Sequence, residues 1–333
     1  MTQSLQLKKD FLQKLLGDYC AKIDWIWIGE HSRRRVTFQI DGTNHLGFFT
    51  EKTHNLVEIE KDSSIEKEIS ALISPLKNFL KTQEQNLYTQ AAVTLFDSGL
   101  DVVFTLIREP NSSQIQKLIN FSKEQNLNIS YKIKDSVTPV FLVRRNQIFL
   151  SDFKIDLNSD VFLQATKSGL DSIIKIIRNA ITKPIHVADI YAGFGAYSFA
   201  IHDLVKSVCA FEGDKKMIDL LNKNAGANDL GKIKGEVRDI FSSPVPAREL
   251  KKFDLIIINP PRNGASPQVL EISKSAVKNL IYVSCNPESF KRDVKILIDA
   301  GFVIKNLTAI DQFYATKHLE LVAIFAGSPP ARG

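Results

Sequence analysis

The sequence predicts an α/β protein in two parts: a doubly wound, mainly parallel sheet from about residue 155 onward, behind a smaller N-terminal α+β domain. Three observations predict it. The chain has 333 residues, too many for one small domain. Beyond residue 155, apolar strands alternate with helical stretches, the pattern of a parallel sheet covered on both faces. Several of those strands are continuous apolar runs, as expected of strands buried on both sides. Domains are therefore expected at 1–155 and 156–327, with a frayed Pro/Gly-rich tail at 328–333.

In chain order, Leu5, Phe11, Leu12, Leu15 and Leu16 recur at helical spacing, and Gly17 stops the run. Strands are expected at Trp25–Ile28, Arg35–Ile40, Ala91–Phe96 and Asp101–Leu106, and a helix at Ser113–Glu124. The cluster His31-Ser32-Arg33-Arg34-Arg35 reads first as a solvated strand end, with phosphate contact as the sharper alternative. In the second part, strands are expected at His186–Tyr191, Ser207–Phe211, Gly235–Arg238, Phe253–Asn259, Leu280–Ser284, Val303–Ile310 and Leu319–Ala326.

Composition narrows the class. Hydrophobic residues make up 44% and charged residues 24%, so a core can form and disorder is excluded as the main state. No apolar run approaches the roughly 18 residues of a membrane span, and the polar N-terminus lacks a signal-peptide core, so a cytoplasmic protein without membrane partners is expected. Cys20, Cys209 and Cys285 are too few for a disulfide framework and too scattered for a metal knuckle. The net charge of +6 permits nucleic-acid binding without requiring it.

The candidate chemistry lies at strand ends. Asp189-Ile190-Tyr191-Ala192-Gly193-Phe194-Gly195 enters a turn whose glycines let a ligand approach the backbone. A dinucleotide fingerprint would have a third glycine where Ser198 stands. Glu212, 19 residues after Gly193, ends the second strand and suits two ribose hydroxyls. Asp239 ends the third strand, where it can meet an adenine edge, and Asn259-Pro260-Pro261-Arg262 ends the fourth. Converging from four strands, these residues favour a nucleoside-bearing cofactor, and the missing glycine turns the choice toward S-adenosylmethionine.

Cys285 in Ser284-Cys285-Asn286-Pro287 ends the fifth strand among polar residues, which suits an exposed nucleophile. Cys209, inside Val208-Cys209-Ala210, reads as a small buried apolar residue. Glu320 enters the apolar run Leu321–Phe325, where a carboxylate is costly without a partner or a task. It is a candidate general base, or half of a structural ion pair. Thiolate, base and methyl donor together suit the C5 position of a pyrimidine. That carbon becomes nucleophilic only after a thiolate adds at C6, and its proton must later be removed.

These residues resemble the RNA uracil-C5 methyltransferases. The matches run through most of residues 160–326: Phe162-Leu163-Gln164-Ala165-Thr166, Asp189–Gly195, Glu212, Asn259-Pro260-Pro261-Arg262, Ser284-Cys285-Asn286-Pro287 with Arg292-Asp293, and His318-Leu319-Glu320. Residues around His31–Arg35 and Gln90–Leu106 are similar, less strongly, to the family's central RNA-binding domain. The resemblance implies a class I methyltransferase, Rossmann-like sheet of seven strands whose last hairpin is antiparallel. It implies Cys285 as nucleophile and Glu320 as base. Gln164, Tyr191, Gly193, Glu212, Asp239 and Asn259 would line the S-adenosylmethionine site, with Gln164 opening a capping helix over Val161–Ile181. Arg262, Phe313 and His318 would face the substrate, an RNA, ribosomal ahead of transfer RNA. A monomer is the default.

Three features depart from the family pattern. Many relatives carry an N-terminal RNA-binding β-barrel, which is not expected here because the sequence begins too late to hold one. Many hold an iron–sulfur cluster on four cysteines, whereas the N-terminal region here has only Cys20, so neither cluster nor metal is expected. The fourth-strand motif usually opens with Asp, and here Asn259 keeps the hydrogen bonding without the charge. The alternatives are an amino-group methyltransferase, which leaves Cys285 unexplained; a cytosine-C5 methyltransferase; and a non-catalytic RNA-binding relative.

Overall fold

A computed structural model describes residues 3–50, 55–313 and 318–327. The tail expected at 328–333 lies outside the described residues. The chain divides into two compact units. Among the described residues, the larger holds those up to Ile28, Leu150–Phe153 and those from Ser168 on; the smaller holds those between Gly29 and Phe149 and Lys154–Lys167. The expected boundary near residue 155 therefore places the N-terminal 28 residues in the wrong part.

The larger unit is built on one sheet. Its strand order is Asp24–Trp27, Phe302–Asp311, Glu320–Gly327, Asn279–Ser284, Leu255–Ile258, His186–Ile190, Ser207–Glu212 and Ile233–Val237. Seven of these are the expected strands, to within a few residues at their ends. The eighth is Asp24–Trp27, which pairs in parallel with Phe302–Asp311. Glu320–Gly327 runs against both its neighbours, so the last hairpin is antiparallel as expected. Every other pairing is parallel. Leu255–Ile258 is buried at all four positions, which explains its unbroken apolar sequence. Leu12 and Leu16 of the N-terminal helix Gln3–Leu16 enter the same core as Val294, Leu297 and Phe325.

Strand order reverses between His186–Ile190 and Leu255–Ile258, the switch point where such sheets open a crevice at the strands' carboxyl ends. Because Glu320–Gly327 is antiparallel, its first residue comes to that same edge.

The smaller unit carries a seven-stranded sheet, in the order Leu56–Glu58, Leu46–Phe49, Arg35–Ile40, Tyr88–Phe96, Gly99–Leu106, Asn128–Ile133 and Ser136–Phe141. Helices Lys67–Lys81 and Ser112–Gln125 supply Leu72, Leu76, Phe79, Leu118 and Phe121 to its core. The Arg33–Arg35 cluster is no solvated strand end. Arg34 is buried, with its Nε donating to the Gln164 carbonyl at 3.1 Å, and Arg33 and Arg35 are half-buried.

The expected helix Val161–Ile181 is shortened to Lys167–Ala180. The residues just before it pair with Arg33 and Arg34 instead. The Arg34 N–H donates to the Ala165 carbonyl at 2.9 Å, and Thr166 forms an antiparallel bridge with Arg33. Gln164 therefore opens no helix and belongs to the smaller unit.

Candidate active site

The site is built from strand ends of the larger unit. Beyond His186–Ile190 the backbone turns through the left-handed region at Tyr191 (φ 63°), Gly193 (φ 55°) and Gly195 (φ 88°). A Cβ on Gly195 would stand 2.7 Å from Leu221 Cδ1, so that glycine serves packing. A Cβ on Gly193 would meet no heavy atom within 4 Å, so the space beside it is open to a ligand. Glu212 braces the turn from the next strand. Its Oε2 accepts from the Gly193 N–H and its Oε1 from the Asp214 N–H, both at 3.0 Å. Each oxygen has a second lone pair, so two hydroxyls can still bind.

Two buried polar atoms in this turn have no hydrogen-bond partner among the described residues: Asp189 Oδ1 and the Tyr191 hydroxyl. Ser198 donates to the other Asp189 oxygen at 2.7 Å, and burial pushes the Asp189 carboxyl up to about 6. A buried group left unsatisfied costs about 1–3 kcal/mol, so the turn is suited to a polar ligand that supplies the missing bonds. Asp239, two residues past its strand, is held below the usual carboxylate range by hydrogen bonds from Ser242 and Phe241. Asn259 donates through Nδ2 to the Tyr197 hydroxyl at 3.2 Å, which orients its amide. The open glycine, the braced carboxylate and the two unsatisfied atoms fit a nucleoside-bearing cofactor.

The remaining candidates lie further along the same edge. Register pairs Ser284 with Leu321, so Cys285 and Glu320 sit side by side at the end of that antiparallel pair. Cys285 is half-buried. Burial pushes its thiol up, the Glu320 charge pushes it further, and the Arg262 guanidinium pulls it back. Glu320 is buried, and its Oε2 accepts from Gln312 Nε2 at 3.0 Å. Phe313 and His318 meet edge to face, with ring centroids 5.8 Å apart.

The turn bearing Cys285 is tied to the turn bearing Arg262. Asn286 caps helix Pro287–Asp299 with its side-chain oxygen and donates through Nδ2 to the Arg262 carbonyl at 2.9 Å. Arg292 donates to the Asn263 carbonyl at 2.7 Å. The fully buried Asp293 accepts from Ala265 N–H, Ser266 Oγ and Tyr282 Oη at 2.6–2.7 Å. This carboxylate replaces water with several donors, so it fixes both turns together.

The chain is similar to known proteins. Residues 244–326 match the family described as tRNA (Uracil-5-)-methyltransferase. An uncharacterised RNA methyltransferase of Mesorhizobium japonicum is 31% identical over 98% of this chain and 80% of its own length. The chain belongs to the RNA uracil-C5 methyltransferase family. As a member of that family it is a methyltransferase with a class I fold. Another relative, the 23S rRNA (uracil(1939)-C(5))-methyltransferase RlmD of Shewanella piezotolerans, is 26% identical over 96% of this chain and 74% of its own. The fold is shared with the tRNA (uracil-54, C5)-methyltransferase of Pyrococcus abyssi, solved with S-adenosyl-L-homocysteine. That match has a TM-score of 0.77 and 22% identity, over 97% of this chain and 83% of the other.

Of the sequence-derived candidates in this methyltransferase unit, Tyr191, Gly193, Glu212, Asp239, Asn259, Arg262, Cys285, Phe313, His318 and Glu320 all fall at one edge of the sheet or in the turns leaving it. Gln164 is placed in the other unit. Sequence reasoning missed Gln312 and Tyr197, which hold Glu320 and Asn259, and gave Asp293 no role. Gln312 and Tyr197 stand in no motif of their own, and Asp293, although it lies in the matched Arg292-Asp293 pair, shows its partners only once Ala265, Ser266 and Tyr282 are placed against it. Among the described residues no group of three or more His, Cys, Asp or Glu side chains is placed to hold a metal ion. Nor is any described helix long and apolar enough to cross a membrane.

Proposed function

We propose that this chain methylates C5 of a uridine in RNA, ribosomal ahead of transfer RNA, through a covalent bond between Cys285 and C6 of the base. The observation that carries the proposal is the register pairing that sets a half-buried cysteine beside a buried glutamate at the crevice edge. Tyr191, Gly193, Glu212, Asp239 and Asn259 would hold S-adenosylmethionine, which when bound supplies an electrophilic methyl group for C5.

The chain's own residues do the rest. Burial and Glu320 keep the resting sulfur protonated, so Cys285 must give its proton to solvent water before attack, and the Arg262 charge favours that loss. The thiolate then forms a bond to C6, and the C5–C6 π pair moves toward O4, leaving an enolate with density at C5. After C5 has been methylated, the Glu320 carboxylate takes the C5 proton. The freed C–H pair restores the C5–C6 double bond and the Cys285–C6 bond breaks, returning the thiolate. Gln312 keeps the carboxylate oriented meanwhile. Arg262, Phe313 and His318 would contact the RNA.

The test is methyl transfer from labelled S-adenosylmethionine to unmodified 23S rRNA and tRNA transcripts, followed by digestion to nucleosides. Label in 5-methyluridine from the ribosomal transcript is expected. Label in 5-methylcytidine or in an N-methylated base would overturn the reading of the base. Label in tRNA alone would overturn the reading of the RNA.

A further inference from the structure

The N-terminal helix Gln3–Leu16 carries none of the residues assigned above, yet it places one charge inside the catalytic unit. Lys8 is only 6% exposed. Its Nζ donates to both carboxylate oxygens of Asp311, at 2.8 and 2.9 Å, and to the Phe313 carbonyl at 3.4 Å. The lysine therefore grips the residue before Gln312 and the residue after it. Gln312, 1% exposed, donates to Glu320 Oε2 at 3.0 Å. Strand Asp24–Trp27 secures the same point, because Ile28 N–H donates to the Asp311 carbonyl at 3.0 Å. Two charges are not buried this deeply without a strict geometry. Removing one alone strands the other away from water, which forces the segment to rearrange.

We infer that Lys8 is a positioning residue for proton removal: by clamping Asp311 and Phe313 it fixes Gln312, and through Gln312 it fixes the Glu320 carboxylate over the substrate carbon. The inference rests on the proposed role of Glu320 as base. It assigns a part in the chemistry to a segment about 300 residues away in sequence. A shift of the order of 1 Å in a reacting group costs about a hundredfold in rate, so a loosened clamp is read in the proton-transfer step and not in cofactor binding.

The experiment compares the full-length protein with Lys8→Met, Gln312→Ala and the double variant on a 23S rRNA transcript. Lys8→Met is expected to lower kcat by about tenfold to a hundredfold, with S-adenosylmethionine affinity unchanged. The covalent RNA–protein adduct should build up during turnover, because its breakdown waits on the base. Gln312→Ala should do the same, and the double variant should lose no more than the worse single, since both act on one carboxylate. Multiplying losses, or slow turnover without adduct, would reduce Lys8 to a purely structural residue and overturn the inference. Should Lys8→Met fail to fold, Lys8→Met/Asp311→Asn removes the stranded charge. It should fold and show the same adduct, and wild-type turnover by it would equally overturn the inference. A wild-type protein that methylates no RNA would instead defeat the proposed function. Amide exchange over residues 307–313 would then still decide the clamp: faster exchange in Lys8→Met supports it, and unchanged exchange overturns it.

Discussion

Two cysteines of the larger unit belong to one sheet and its edge, one inside a strand and one just past a strand's end. Cys209 lies in the middle of Ser207–Glu212, paired with Ala188 on one side and Lys234 on the other. Cys285 is the first residue beyond Asn279–Ser284. Burial raises both thiols, Cys209 to about 11, so acidity does not tell them apart. What differs is the company. Cys209 packs against the apolar core. Cys285 has Glu320 and Arg262 acting on it from the two neighbouring strand ends. Strand middles in this protein carry packing, and on the proposed function strand ends carry chemistry, because only at the ends does the sheet leave side chains facing a crevice.

The sharpest way to break that contrast is to remove each sulfur in turn. Cys285→Ala should lower methyl transfer by roughly 10⁴-fold or more, as loss of a covalent nucleophile does, while cofactor binding persists. Cys209→Ser should leave turnover per folded molecule within about twofold and cost about 1–3 kcal/mol of stability, since it puts a hydroxyl into an apolar site. Comparable losses of turnover in the two would erase the distinction. Next in size is Glu320→Gln. It should slow turnover by about 10²–10⁴-fold and trap the adduct, which denaturing gels of RNA with protein would reveal. Glu212→Ala comes third. It should weaken S-adenosylmethionine binding by about tenfold or more, measured by calorimetry, because buried hydroxyls lose their acceptor.

The smallest effect is on acidity. Glu320 raises the Cys285 thiol and Arg262 lowers it. Alkylation of the resting enzyme should therefore follow a curve against pH that moves to lower pH in Glu320→Gln and to higher pH in Arg262→Met. Curves that do not move, or that move the other way, would take these two charges out of the environment of the sulfur.

Much of this region was legible before the structure. Apolar runs such as Leu255–Ile258 announce a strand covered on both faces, and the polar residue that ends each run announces the crevice. The smaller unit was less legible. Helix Lys67–Lys81 is not among the expected elements; it holds Pro75 in its interior, and Ile69, Leu72, Ile73, Leu76, Phe79 and Leu80 face the core and outweigh the missing N–H. The helix expected over Val161–Ile181 begins only at Lys167, because backbone pairing to Arg33 and Arg34 claims the residues before it. Long-range partners left no local trace. Asp24–Trp27 reads as a strand, but nothing in it says that it pairs with Phe302–Asp311. Lys8 reads as one more surface lysine until Asp311 is placed against it.

The measurement closest to the central claim uses RNA carrying 5-fluorouridine, incubated with the protein and S-adenosylmethionine. Fluorine at C5 cannot leave as a proton, so chemistry through Cys285 should halt with sulfur still bonded to C6. The account predicts a cofactor-dependent, denaturation-resistant band that is lost in Cys285→Ala and kept in Cys209→Ser. A band that survives in Cys285→Ala, or no band when cofactor and RNA binding are both confirmed, would contradict it.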